Sequence, residues 1–161
     1  MTPGVRRYGL DPADAAANVR AVIESQMLGM STHSRWMDCP IDTIHATGGA
    51  AVNRAILVVM ADVFGADVYQ LEVGNSAAFG AALRAYHADL VSQGLPASWD
   101  DVVKGFVKPT AATVVRPRLE YREMYAELAR IRAACEAHAL GSGPDPSPSM
   151  AAFRRRYGQP D

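Results

Sequence analysis

A short apolar strand, a glycine pair and a long apolar helix follow one another in this chain, and this pattern constrains its fold most. Residues 41–46 contain β-branched side chains and end at the glycine pair, as is typical of a buried strand. Gly48 and Gly49 permit a sharp turn and a close approach of a ligand to the backbone. A helix is predicted at 52–64, so its free amides and positive dipole end would face an anion above the turn. The pattern predicts an α/β fold with a phosphate site.

The same glycine pair also has a purely structural interpretation, because many α/β proteins use such pairs to pack a helix against a strand. Asn53 lies in the first turn of the predicted helix, where its amide would either cap the helix or contact a base edge. A second strand is predicted at 68–71. It leads to Asn75, a candidate N-cap, and then to a helix of small residues at 77–90. That helix permits either tight packing on a sheet or the approach of a flat ligand.

The remaining segments predict further helices and a flexible end. Asp11 followed by proline is a typical helix start, and the apolar periodicity behind it continues to about Met30. Another amphipathic helix is predicted at 119–139. The sequence GSGPDPSPS has the composition of a linker. We therefore expect one domain at residues 1–140 and a flexible tail at residues 141–161.

Composition and charge argue against several classes of function. The formal net charge of −1 provides no field that would recruit nucleic acid, and no apolar run approaches the roughly twenty residues of a membrane span. Cys39 and Cys135 lie far apart in the sequence and are expected to be reduced thiols of a cytoplasmic protein. The four histidines lack the spacing of metal ligands. We expect no nucleic-acid partner, no membrane partner and no metal site within this chain.

Three pieces of this region together resemble a known family. They are ATGGA with Asn53 shortly after it, ADVFGADVY, and NSAAFGAALRAYH. They resemble the C-terminal signature region of the FGGY carbohydrate kinases, and within that family the xylulokinases most. The resemblance extends over roughly residues 3–138, with its motifs within 46–87. It implies a ribonuclease-H-like (actin-like ATPase) domain, of which this chain would be the C-terminal, nucleotide-binding part without the first strands.

The resemblance also implies an activity and a site. Such kinases transfer the γ-phosphoryl group of ATP to a sugar hydroxyl, here of D-xylulose, with Mg²⁺ as cofactor. Gly48, Gly49 and Ala50 would then lie along the α-phosphate and ribose of ATP or ADP, and Asn53 would contact the adenine. The family often has a third glycine where this chain has Ala50, which would narrow the pocket. Its catalytic aspartate and most sugar contacts belong to an N-terminal domain, so this chain alone is expected to be inactive.

Two other interpretations compete with the kinase. A non-enzymatic, actin-like module would form a homodimer through an exposed sheet edge or through the small-residue helix, since uncovered strand edges tend to pair. Half of a Rossmann dehydrogenase is disfavoured, because the turn carries a glycine pair and not the G-x-G-x-x-G pattern.

Overall fold

The computed structural model describes residues 10–71, 75–104, 106 and 113–158. These divide into two compact units: the first takes the described parts of 1–40, 62–64 and 118–161, and the second those of 41–61 and 65–117. The helices and strands of the described residues are, in chain order, α1 (Ala15–His33), β1 (Thr43–Ala46), α2 (Arg54–Phe64), β2 (Asp67–Gln70), α3 (Ser76–Ser92), α4 (Trp99–Val103), α5 (Arg122–Ala139) and α6 (Ser147–Tyr157). None of these helices is both long and apolar enough to span a bilayer.

The second unit is built on a parallel pair of strands. β1 and β2 run in the same direction, with Thr43 opposite Asp67 and with Ala46 opposite Gln70. Val68, in the middle of β2, is fully buried. It also exchanges two antiparallel backbone hydrogen bonds with Val115, at 2.9 and 2.8 Å. The prediction of two strands joined by a helix is therefore confirmed, although each strand differs by one or two residues from the predicted range.

Residues from both strands, the glycine turn and α2 form the core of this unit. The core consists of six buried side chains: Ala46, Ala51, Leu57, Ala61, Val68 and Val115. α2 ends at Gly65, which adopts a left-handed conformation (φ 65°) and donates its amide to the carbonyl of Ala61 at 2.8 Å. The predicted start of α2 at residue 52 is wrong by two residues, because residues 49–52 form a tighter 3₁₀ turn before it.

The first unit packs α1 against α5 and α5 against α6. Its buried hydrophobic side chains are Met27, Leu28, Tyr125, Ile131 and Met150. The hydroxyl of Tyr125 donates to Oε1 of Glu24 at 2.8 Å, and Nη2 of Arg20 donates to the same hydroxyl at 2.9 Å. A direct Arg20–Glu24 bond of 2.8 Å closes this polar triad around the buried Tyr125, between α1 and α5.

The start of α1 differs from the predicted start. Asp14, not Asp11, is the N-cap, and its carboxylate accepts the amide of Ala17 at 2.9 Å. Asp11 instead accepts the amide of Ala13 at 2.8 Å and closes a turn before the helix. Aspartate forms such short-range bonds both at turns and at helix caps. The sequence therefore contains two candidate N-caps for α1, three residues apart.

The flexible tail predicted for residues 141–161 is also wrong, since most of it forms α6. Asp145 accepts the amide and the hydroxyl of Ser147 at 3.0 and 2.7 Å, and this turn begins the helix. Met150 is buried in the first unit, and Arg156 pairs with Glu127 of α5 at 3.2 Å. Prolines in the first helical turn lose no hydrogen bond, so the proline-rich composition marks a helix start here, not a linker.

Alkaline pH is expected to destabilise the chain through Tyr125. Burial, and secondarily the hydrogen bond to Glu24, raises the pKa of Tyr125 to about 12 from its ordinary value of 10. The unfolded chain therefore releases this proton first, and the free energy of unfolding falls by about 3 kcal/mol between pH 10 and pH 12. Urea titrations of the natural chain and of Tyr125→Phe across this range would measure it. An equally steep loss in the phenylalanine variant would contradict the assignment.

A buried carboxylate in the first unit provides a second test. Asp62 is 4% exposed and accepts three bonds from Arg118: the amide at 2.8 Å, Nε at 3.0 Å and Nη2 at 2.6 Å. We expect Asp62→Asn to lower the free energy of unfolding by about 2 kcal/mol, because the charged partner of these bonds is lost. Asp67→Asn is the matched control. Its partner Arg116 lies 3.9 Å away and is largely exposed, so the cost should stay below about 1 kcal/mol in urea titrations.

Candidate functional site

The glycine turn lies directly after β1 and is held by the core beneath it. Gly48 adopts φ 88° and ψ −177°, a conformation that is essentially restricted to glycine. Its carbonyl accepts the amide of Ala51 at 3.0 Å, which begins the 3₁₀ turn Gly49–Val52. Ala51 points into the core, so the turn is fixed to the end of the strand.

The outer side of this turn is open. All four residues predicted to bind nucleotide are exposed: Gly48, Gly49, Ala50 and Asn53. A Cβ built on Gly49 would meet no atom within 4 Å, and its φ is not positive. Neither packing nor conformation within the described part of the chain therefore requires glycine at position 49. Space that a side chain would fill is left above the backbone, which is the geometry that a closely approaching ligand needs.

The donors available to an anion differ from those predicted. The amides of Gly49 and Ala50 come first in the 3₁₀ turn and have no acceptor inside it. The amides of α2 were expected directly behind the glycine pair, but α2 begins only at Arg54. The amides that can bind an anion above the glycine pair are therefore those of the 3₁₀ turn, not those of the N-terminal turn of α2.

Asn53 is the N-cap of α2. Its Oδ1 accepts the amide of Ala55 at 3.0 Å, which confirms the capping role that its position allowed. That bond uses only the side-chain oxygen of an exposed residue. The predicted contact with a base edge stays a prediction, and it would have to use the side-chain nitrogen.

The turn that leads into α3 confirms one prediction, the cap of this helix. Asn75 caps α3 by accepting the amide of Ala78 at 3.1 Å. The small residues of α3, however, are exposed, and this helix has no buried residue among those described. Among the described residues α3 packs mainly on α4 and not tightly on the sheet. The approach of a flat ligand to this helix stays a prediction.

Two aromatic contacts were not predicted. His45 of β1 and Tyr69 of β2 lie opposite each other with their rings edge to face, at 6.0 Å between centroids. His45 is exposed. His87 of α3 stacks flat on Trp99 of α4 at 4.2 Å. The register of the two strands would have predicted the first contact, whereas nothing in the sequence pairs the second. The described residues contain no group of three His, Cys, Asp or Glu side chains placed to hold a metal ion.

Two glycine substitutions should show that Gly48 is required for its backbone angles and that Gly49 is not required for packing. Gly48→Ala is expected to lower the free energy of unfolding by about 1–3 kcal/mol, because alanine is strained at the backbone angles of this residue. Gly49→Ala should change it by no more than about 0.5 kcal/mol, because its Cβ enters open space. Chemical denaturation followed by circular dichroism measures both. Equal losses would contradict the geometry described for the turn.

Comparison with known proteins finds similarity to one family. The sequence profile of the "FGGY family of carbohydrate kinases, C-terminal domain" matches residues 6–88. The "Xylulose kinase" of Rattus norvegicus is 32% identical over 151 residues, which cover 89% of this chain and 27% of that protein. "Xylulose kinase 2" of Arabidopsis thaliana is 40% identical over 92 residues, which cover 56% of this chain and 16% of that protein. The chain thus spans about a quarter or less of the length of these relatives.

A solved structure is also similar. The crystal structure of xylulose kinase from Rhodospirillum rubrum superposes with a TM-score of 0.63 at 24% sequence identity, over 83% of this chain and 27% of that one. At this identity the likeness concerns the fold.

Proposed function

Because the chain belongs to the FGGY family of carbohydrate kinases, we propose that it is the nucleotide-binding portion of an ATP-dependent sugar kinase. The observation that carries the proposal is the open space above Gly49, at a turn with two amides that have no acceptor within it. The α-phosphate of ATP or ADP binds the amides of Gly49 and Ala50. The ribose lies along Gly48, and Asn53 presents its side-chain nitrogen to the adenine.

D-xylulose is the proposed sugar. Its support is the name of the relatives in Rattus norvegicus and Arabidopsis thaliana, both of which are called xylulose kinases. The proposed fold of the whole domain is ribonuclease-H-like, with further strands beside β1, and the proposed compartment is the cytoplasm. The described residues hold no cluster of three potential metal ligands, so the Mg²⁺ that supports phosphoryl transfer is proposed to come with the phosphates of ATP.

This chain alone is proposed to be inactive. Transfer to a hydroxyl needs a carboxylate that accepts the proton of the attacking group. The carboxylate of Asp62 lies at the other end of α2 from the turn and already accepts three hydrogen bonds from Arg118. In this proposal the base and the sugar site come from polypeptide outside these 161 residues. Phosphorylation of D-xylulose by the purified chain would contradict this.

Calorimetric titration of ADP is the direct test. We expect the natural chain to bind ADP and Gly49→Val to weaken binding at least about tenfold, since the added side chain fills the space above the turn. Ala88→Val is the matched control, because it adds a side chain to an exposed position near the end of α3. Circular dichroism verifies that all three are folded. Absence of binding to the folded natural chain, or equal binding by Gly49→Val, would refute a site at this turn.

The second candidate function is self-association through the sheet. Among the described residues β1 has a strand partner on one edge only, and the exposed Thr43 and His45 lie on this strand. Unpaired strand edges pair readily with another chain. Sedimentation over a hundredfold concentration range distinguishes the two functions: a concentration-dependent dimer without ADP binding favours the homodimer, and a monomer that binds ADP favours the kinase portion.

A further inference from the structure

A cavity of about 350 Å³ opens between three helices of the first unit, away from the glycine turn in the sequence. α1, α5 and α6 all contribute to it. Apolar side chains form most of its wall: Leu28, Leu128, Ile131, Met150 and Phe153. Leu28, Ile131 and Met150 are buried, so the wall is part of the hydrophobic core. Cavities of this size and lining are typical of small-molecule sites.

The chemistry of the wall favours an aliphatic ligand. Sγ of Cys135 lies 3.6 Å from Sδ of Met150, and both side chains line the cavity. Burial raises the pKa of Cys135 even though the positive charge of Arg132 acts to lower it. The surroundings of this thiol are therefore poorly solvated. Sugar or phosphate groups would lose their hydration here with few partners in return, whereas a hydrocarbon chain would gain from burial.

One positive charge at this cavity has no ion-pair partner among the residues that the structure describes. Three charged side chains line it: Glu24, Arg132 and Arg154. Glu24 is neutralised by Arg20, and Arg132 pairs with Glu136 at 2.9 Å. Arg154 is exposed and forms no ion pair with any residue that the structure describes. Its guanidinium group is thus available to an anionic group of a ligand in the cavity, and a planar guanidinium matches a carboxylate best.

We propose that this cavity binds a medium-chain aliphatic carboxylate. The hydrocarbon chain lies between Leu28, Ile131 and Met150, and the carboxylate pairs with Arg154. The site is independent of the proposed nucleotide site, because it belongs to α1, α5 and α6 and uses none of the residues of the glycine turn.

Titration of decanoate, below its micellar concentration, tests the proposal. We expect saturable one-to-one binding by the natural chain in calorimetry. Arg154→Gln should weaken it at least about tenfold, while Arg155→Gln is the matched control, because Arg155 is exposed on the same helix but does not line the cavity. Decanol, which has a similar chain without the charge, should bind equally to the natural chain and to Arg154→Gln. Both arginines are exposed, so neither variant should disturb folding.

The proposal fails in two outcomes. Absence of decanoate binding refutes the cavity as a site for an aliphatic carboxylate. Equal weakening by Arg154→Gln and Arg155→Gln refutes the specific ion pair, because it indicates general attraction to the basic end of α6. Failure here leaves the ADP titration unaffected, so the two proposals are judged separately.

Discussion

The pairing of β2 on both of its edges is the constraint on which the second unit depends. Two parallel strands alone form a marginal sheet. Val68 is bonded to Val115 on one edge while its strand pairs with β1 on the other, and it is fully buried against α2. The end of β1, and with it the glycine turn, is therefore fixed in position by a residue twenty positions farther along the chain than Gly48. The turn depends on this core for its shape.

The glycine turn has a buried side that holds it in place and an exposed side that is open to solvent. Ala51 is buried and Gly48 holds its unusual backbone angles, whereas Gly49 and Ala50 are exposed. Such an arrangement keeps free amides in a fixed orientation before a ligand arrives, which lowers the cost of binding. The two glycines therefore have different roles. Gly48 is needed for its backbone angles, whereas Gly49 leaves space for a ligand above the backbone.

Sequence predicted the second unit better than the first. Strand periodicity, the glycine pair and Asn53 gave β1, α2 and its cap, because these signals are local. The 3₁₀ turn before α2 was not predicted, since its few residues carry no periodicity of their own. α6 was interpreted as a flexible tail because its segment is rich in proline, serine and glycine. Its prolines, however, lie in the first turn, where a helix tolerates them. The helix also packs against α5, and no local sequence pattern shows this contact. The exposure of α3 likewise depends on neighbours, not on its own residues.

α6 also determines where this protein can be shortened. A boundary drawn at the glycine of position 141, where the composition changes, would remove Met150 from its contact with Cys135 and would open the buried side of Ile131 to water. The thiol would then lose part of the burial that raises its pKa. An expression fragment that ends at that glycine would thus lack eleven helical residues and expose an apolar surface in their place.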